Sequence, residues 1–164
     1  MSQIKIVKNF LPEEEIKKLE NMFFSKDFMW RYNYQTADND NESFFYHLFY
    51  VNNAPFSRCY DQLIPFLNLL EPLSIIGIRA NMYINKYKKY FGGWHTDKWS
   101  NEKLNHTTSI LYINDNNGVT EFENGESIKS ERNKLIEFPA DFVHRPISQT
   151  DQDRRILINL NYFK

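Results

Sequence analysis

The chain has 164 residues, the size of one domain, and its 41% apolar and 25% charged residues exclude a largely disordered protein. Lysine and arginine total 20 against 21 acidic residues, which argues against a domain that mainly grips nucleic-acid phosphates. The single cysteine excludes an intramolecular disulfide and a cysteine-based zinc site. The first residues lack the apolar core of a signal peptide, and no apolar run could span a bilayer, so we expect a cytoplasmic protein.

Residues 1–74 are predicted to form the helical part of the chain. A helix is expected to begin near Pro12, because proline suits the first helical turn and the three glutamates after it favour a helix start. Residues 32–44 are rich in asparagine and aspartate, which predicts a loop that could order over a substrate. The aromatic run 44–53 indicates a strand, and Pro65 is expected to kink or split the helical region that follows.

From Ile75 onward apolar residues alternate with polar ones, and this period of two indicates strands. We predict strands over 76–87, 106–114, 118–124, 133–138 and 153–163. No helices alternate with these strands, so a parallel sheet is not expected. The predicted fold class is mainly β with flanking helices (α+β), an antiparallel jelly roll or barrel with the N-terminal helices packed on one sheet. We expect this β core over 75–164 of a single domain that spans 1–164.

A candidate metal site begins with the sequence His95-Thr96-Asp97. In an extended segment residues i and i+2 face the same side, so His95 and Asp97 could offer a nitrogen and an oxygen to one metal. A second histidine, His144, follows a turn-like segment further along the chain. Two histidines and one carboxylate are the ligand set of non-haem Fe(II) oxygenases, which leaves the opposite face of the metal open. Taken singly, neither motif excludes a structural role, and the order of the motifs favours the metal site.

The last predicted strand carries two adjacent arginines whose side chains face opposite ways. Arg155 shares its face with the two asparagines of this strand, which suits a polar cavity, whereas Arg154 shares the face of the isoleucines. By the same alternation Arg79, Asn81 and Tyr83 are predicted to line the cavity. A guanidinium there suits a bidentate carboxylate partner. The structural alternative is an ion pair between this arginine and an aspartate just before the strand.

These motifs together resemble the Fe(II)/2-oxoglutarate-dependent dioxygenases, most closely the small prolyl-4-hydroxylase-like group. The resemblance is carried by His95-Thr96-Asp97, by GVTEF, by LIEFPADFVHRP around His144 and by the following Arg155. The segment KNFLPEEEIKKLE also resembles the start of that group's domain. The similarity covers most of the chain and is strongest over 79–163.

The resemblance implies a double-stranded β-helix fold and assigns roles to individual residues. It implies that Fe(II) is bound by His95, Asp97 and His144. It further implies that Arg155 grips the distal carboxylate of 2-oxoglutarate. Tyr83 is then a second contact to the cosubstrate, and Asn81 is a weaker candidate.

The implied activity is hydroxylation of a C–H bond with Fe(II), 2-oxoglutarate and O₂. The substrate is open: a prolyl or other protein side chain and a small metabolite are both candidates. One alternative is a metal-binding, cupin-like jelly-roll module without oxygenase activity, in which Arg155 would have no carboxylate to hold. Another is an oxidative nucleobase demethylase, against which the net charge of −1 speaks.

Several further residues have two possible roles. The basic and aromatic segment 86–91 could contact an acidic partner, but a solvated loop is favoured. Trp94 and Trp99 flank the first metal-binding motif and could form a substrate wall or pack in the core. His47 and His106 are predicted to be structural.

Overall fold

The computed structural model of the chain describes residues 3–35, 43–98 and 105–164. Within these ranges a 3-10 turn, Tyr60–Leu63, directly precedes the second α-helix. The helices and strands are, in chain order, β1 (Lys5–Val7), α1 (Glu13–Phe24), β2 (Arg31–Asn33), β3 (Phe44–Val51), β4 (Ala54–Pro55), α2 (Ile64–Leu70), β5 (Ser74–Ile84), β6 (Thr107–Tyr112), β7 (Val119–Phe122), β8 (Ser127–Lys129), β9 (Lys134–Pro139), β10 (His144–Ile147) and β11 (Arg154–Phe163).

The strands form two antiparallel sheets that face each other. The larger sheet has the order β1-β9-β6-β11-β5-β3-β2, with β4 paired to β3, and the smaller sheet has the order β10-β7-β8. Non-consecutive strands lie side by side in both sheets, as expected for a jelly roll rather than a meander. The predicted mainly β fold with a double-stranded β-helix core is therefore confirmed.

The larger sheet separates two apolar clusters. Between this sheet and the helices, Ile156 and Ile158 of β11 pack in one cluster with Phe23 of α1. Between the two sheets, Leu157 of β11 packs with Phe122 of β7. Adjacent residues of β11 thus enter different cores, as the predicted alternation requires.

The helix α1 packs its apolar stripe onto the larger sheet. It begins directly after Pro12, as predicted, and carries three glutamates in its first turn, where the helix dipole favours them. Ile16, Leu19 and Phe23 recur at helical spacing and are buried. Within the described ranges, neither α-helix is long and apolar enough to cross a membrane.

The second helical region is split, as predicted from Pro65. This proline lies in the first turn of α2, where its missing N–H would have had no helical partner. Leu63 and Leu67 are buried in the same cluster. Phe56 precedes the 3-10 turn and is 54% exposed, so the apolar face of this helical region does not include it.

The region 1–74 contains β1 to β4 in addition to the helices. The strand β2 includes the first two residues of the predicted loop 32–44, and β3 begins at Phe44. Residues 36–42 lie outside the described part of the chain, so the hypothesis of a lid stays a prediction. The short strands β2, β4, β8 and β10 were not predicted, because segments of two to four residues show no clear period of their own.

Candidate metal centre and adjoining cavity

The segment 91–97 runs antiparallel along β10 and positions the first metal-binding motif. His95 and His144 are directly opposite and exchange two backbone hydrogen bonds, of 3.0 and 2.9 Å. The Asp97 N–H donates to the carbonyl of Ala140 at 3.0 Å. These bonds hold the segment extended, so residues 95 and 97 face the same side, as the sequence predicts.

The side chains of His95, Asp97 and His144 converge. Each offers one ligand atom, and the three atoms lie within 4.8 Å of one another. His144 Nε2 is 3.8 Å from Asp97 Oδ2, and the two imidazole rings are 4.5 Å apart between centroids. Two nitrogens and one carboxylate oxygen around a common point form the donor set of a facial metal site.

Both histidines present the same ring nitrogen to this point. His95 Nδ1 lies 3.0 Å from the carbonyl of Gly93, and His144 Nδ1 lies 2.9 Å from the carbonyl of Phe142. A carbonyl can only accept, so each Nδ1 carries the proton and each Nε2 keeps a lone pair. Such backbone hydrogen bonds are the usual way in which proteins orient metal-binding imidazoles.

The electrostatics of the site favour the metal-binding protonation states. Burial by itself would raise the pKa of the Asp97 carboxyl. The charges of His144, Arg79 and His95, with a 3.0 Å hydrogen bond from Asn159 Nδ2, outweigh burial, so this pKa lies below its usual value. Burial lowers the pKa of His144. At neutral pH the carboxylate is therefore ionised and the imidazole of His144 neutral, as metal coordination requires.

A fully buried guanidinium, that of Arg155, lies in the same space between the sheets. Its Nε donates to Ser130 Oγ at 2.8 Å and its Nη2 to Thr120 Oγ1 at 3.2 Å, while Nη1 has no hydrogen-bond partner within residues 3–35, 43–98 and 105–164. Among the described residues no carboxylate forms an ion pair with it, so the alternative pairing with Asp151 or Asp153 is not formed. The cation is thus buried without a counter-ion from the described chain.

The surroundings of Arg155 fit its side chain closely. Its guanidinium carbon lies 5.3 Å from the ring centroid of Tyr83 and 5.8 Å from that of Tyr112, so both rings contribute cation–π attraction. The Tyr112 hydroxyl donates to Thr120 Oγ1 at 2.8 Å. A Cβ added to Gly118 would lie 2.8 Å from Arg155 Cδ, so only glycine leaves room for the arginine at this point.

One cavity extends from the two candidate metal-binding histidines, His95 and His144, to Arg155. Its volume is about 30 Å³, so a dicarboxylate would enter only if lining side chains moved apart. Asn81 Oδ1 is buried in this region, and none of the described residues donates a hydrogen bond to it. Larger hollows of about 480 and 600 Å³ lie elsewhere and include none of the candidate ligands. The residues that line the cavity are Phe44, Arg79, Asn81, Tyr83, His95, Ile110, Thr120, His144, Pro146, Arg155, Leu157 and Asn159.

The structure brings the sequence-predicted site residues together. The cosubstrate candidates Arg155, Tyr83 and Asn81 line the cavity with the two histidines. Arg154 lies on the opposite face of β11, with its guanidinium 5.6 Å from the ring centroid of Phe24. Register within the strand therefore separates the two arginines, as the alternation predicts.

Sequence reasoning missed the partners of the site residues. Ser130 and Thr120 hold Arg155, and Asn159 holds Asp97. The alternation of β11 predicts that Asn159 shares the polar face with Arg155, and this could have identified it as a partner of the site. The two hydroxyls could not be singled out in the sequence, because no motif or spacing distinguishes them from the other serines and threonines of the chain.

The tryptophan next to the first histidine does not form a cavity wall. Trp94 is 44% exposed, and the guanidinium of Arg145 lies 4.2 Å above its ring. The alternation that points His95 inward turns Trp94 outward. Trp99 lies outside the described residues. His47 and His106 lie away from the metal centre, consistent with structural roles.

No protein-family model and no curated protein matches the sequence, whereas solved structures match in fold. A prolyl-4-hydroxylase from Pseudomonas putida has a TM-score of 0.65 at 12% identity, over 99% of this chain and 93% of the other. A Trichoplax adhaerens prolyl hydroxylase, in complex with a hypoxia inducible factor peptide fragment, has a TM-score of 0.68 at 14% identity. The match covers 98% of this chain and 83% of the other. The epimerase SnoN, in complex with Fe³⁺, alpha ketoglutarate and nogalamycin RO, has a TM-score of 0.70 at 11% identity. The match covers 99% of this chain and 79% of the other. The chain therefore shares the fold of these oxygenase structures.

Proposed function

We propose that the chain is an Fe(II)- and 2-oxoglutarate-dependent dioxygenase that hydroxylates a C–H bond of its substrate. The observation that carries this proposal is Arg155, a fully buried guanidinium whose Nη1 has no partner among the described residues, in the cavity that the two candidate metal-binding histidines also line. A buried charge that lacks its partner costs roughly 3–5 kcal/mol. A carboxylate ligand would offset this cost. A cupin-like binding module has no use for such a group, so Arg155 favours the oxygenase.

The residues present fit the iron and the cosubstrate. His95, Asp97 and His144 would hold Fe(II) through two imidazole Nε2 atoms and one carboxylate oxygen. When bound, the iron with 2-oxoglutarate and O₂ supplies the oxidation of an unactivated C–H bond. The share of the protein is to bind, orient and shield. The backbone hydrogen bonds of both histidines and the Asn159 bond to Asp97 fix the ligands before metal arrives.

Arg155 and Thr120 would bind the distal carboxylate of 2-oxoglutarate. Thr120 Oγ1 already accepts hydrogen bonds from Tyr112 and Arg155, so its own hydrogen is available for a carboxylate oxygen. The Arg155 Nη1 donor completes a two-point grip. Tyr83, directly opposite Arg155 on β5, would contribute the second aromatic wall of this subsite.

The spacing along the strands suits an extended dicarboxylate. Arg155 and Asn159 are four residues apart on β11, about 13 Å at the usual rise of a strand. Asn159 contacts Asp97, so one end of the cavity is the metal centre and the other is the guanidinium. Asn81, opposite the residue midway between them, could contact the middle of the ligand.

The wider assignment follows from the fold and stays a proposal. We treat 1–164 as one catalytic domain, because the helices and the larger sheet share a single core cluster. Among the similar structures one prolyl hydroxylase holds a peptide. A prolyl or other protein side chain is therefore one candidate substrate and a small metabolite another. The near-neutral charge gives nucleic acid no support. The cytoplasmic location stays a prediction.

Anaerobic calorimetry with Fe(II) and then 2-oxoglutarate tests the proposal. We expect one metal per chain, 2-oxoglutarate binding that requires the metal, and succinate release once O₂ is admitted. The matched variants are Arg155→Gln and Arg154→Gln, adjacent arginines on opposite faces of one strand. The first should weaken 2-oxoglutarate binding, and the second should leave it unchanged. If the wild-type protein loads with metal but ignores 2-oxoglutarate, the binding-module alternative is favoured instead.

A further inference from the structure

A second guanidinium, that of Arg79, lies in the same cavity and has no part in the function proposed above. On β5 it is directly opposite Asn159, the residue whose amide holds Asp97. Arg155 lies at the other end of the cavity, opposite Tyr83. Arg79 is therefore beside the metal centre, where the reacting part of a substrate has to lie.

Arg79 is not satisfied by the rest of the described chain. It is only partly exposed, and among the described residues its guanidinium has no carboxylate within 4.0 Å and no hydrogen-bond acceptor. Its positive charge lowers the pKa of both Asp97 and His144, so the guanidinium is close enough to interact electrostatically with these two candidate ligands. A half-buried cation aimed into a cavity without a fixed partner is a ready anion-binding group.

With metal and 2-oxoglutarate bound, the positive charges in the cavity would outnumber the negative charges. Two guanidiniums and a divalent metal would face one protein carboxylate and a dianionic cosubstrate. One carboxylate of 2-oxoglutarate would pair with Arg155 and the other would bind the metal. The positive charge that then has no negative partner in the cavity is that of Arg79. In a confined site of low effective dielectric such a charge strongly favours an anionic partner.

We propose that Arg79 recognises a carboxylate on the substrate, so that the enzyme acts on a small carboxylic acid, such as a free or N-blocked amino acid. This inference rests on the function proposed above. The planar fork of arginine matches a carboxylate in two parallel hydrogen bonds. A neutral side chain within a peptide would leave Arg79 without a partner.

The test uses the full chain loaded with Zn(II) and 2-oxoglutarate, which prevents turnover. The probes are acetate and acetamide, together with N-acetyl-L-proline and its amide, so that each pair differs mainly in the carboxylate. Binding is followed by NMR through the Nε–H signal of Arg79, assigned by its loss in Arg79→Lys. We expect the acids to shift this signal saturably and to bind about 10-fold or more tightly than the amides.

Variants separate recognition of substrate from other roles of Arg79. Arg79→Gln should abolish the preference for acids and leave the affinity for 2-oxoglutarate almost unchanged, whereas Arg154→Gln should alter neither. Arg79→Lys should keep part of the preference. The inference is overturned if acids and amides bind alike, if Arg79→Gln retains the preference, or if it weakens 2-oxoglutarate as much as Arg155→Gln does. A wild-type protein that loads neither metal nor 2-oxoglutarate overturns the proposed function itself, together with this inference.

Discussion

The two faces of the larger sheet are made by the same strands but differ in chemistry. On the face toward the helices, β5 and β11 present Ile78, Ala80, Ile156 and other apolar side chains, all in one buried cluster. On the face toward the smaller sheet, the intervening positions present Arg79, Arg155 and further polar groups. A shift of one residue in either strand would exchange the two faces completely.

This difference separates stability from ligand binding. The apolar face removes side chains from water, and each fully buried aliphatic or phenyl group contributes roughly 1.5–3 kcal/mol. The polar face buries a cation and an asparagine oxygen that find no counter-ion and no donor, respectively, in the part of the chain that the structure describes. Such groups oppose folding unless a ligand satisfies them. Substitutions on the apolar face should therefore lower stability and leave ligand binding intact, whereas substitutions on the polar face should weaken ligand binding and leave stability intact.

The largest expected effect is at the metal centre, where His144 of the smaller sheet faces the polar face of the larger sheet. His144→Ala removes one of three ligands and should abolish stoichiometric binding of Fe(II), measured anaerobically by calorimetry. His106→Ala is the matched control, because His106 is equally buried but lies outside the triad. It should retain one metal per chain. Equal metal affinity in both variants would contradict the assignment of His144.

On the apolar face the expected loss is in stability. Phe23 is fully buried and its ring lies 6.0 Å from that of Phe49, so Phe23→Ala should lower the free energy of unfolding by about 3–5 kcal/mol. The neighbouring Phe24 is 44% exposed, and Phe24→Ala should have a much smaller effect. Urea unfolding measures both. The folded fraction of Phe23→Ala should still bind one Fe(II), and a lost metal site would show that the faces are not independent.

Arg155 should combine lost binding with unchanged or higher stability. Arg155→Met removes a buried charge at similar volume, so the ligand-free protein should be as stable as the wild type or more stable by about 1–4 kcal/mol. The affinity for 2-oxoglutarate should fall by about 10- to 150-fold, the value of a charge-assisted pair. Thermal unfolding without ligand and calorimetry with ligand provide the two measurements. Strong destabilisation of the ligand-free protein would indicate a structural role instead.

The smallest effect concerns a histidine away from the cavity, His47 on β3. Burial lowers its pKa, its Nδ1 lies 2.7 Å from the carbonyl of Met29, and its Nε2 lies 2.7 Å from Ser57 Oγ. Below the usual pKa of 6.5 the unfolded chain takes up a proton that the folded chain binds less readily. Stability should therefore fall on acidification through this range.

His47→Gln tests this expectation in urea unfolding at several pH values, with a chelator present so that metal binding does not contribute. The variant should show a weaker loss of stability on acidification than the wild type. Identical pH profiles would show that His47 does not contribute to the pH dependence of folding.

Much of the site follows from properties local to the chain. The period of two in β5 and β11 determined which side chains share a face, because the pleat of a strand is set by its own backbone. It distinguished Arg155 from Arg154 and placed Arg79, Asn81 and Tyr83 together. The spacing of His95 and Asp97 likewise predicted two ligand atoms on one side.

Other features were decided only by the tertiary structure. The sequence did not indicate that Ser130 and Thr120 would hold Arg155. Thr120 lies on β7 and Ser130 directly follows β8, and the position of both relative to β11 depends on how the two sheets pack. The outward turn of Trp94 depends on the pairing of its segment with β10. Among the described residues neither Arg155 nor Arg79 forms an ion pair with a carboxylate, and this too is a property of the assembled sheets. Charge complementarity is set by every group that packs around a side chain, so no local pattern could determine it.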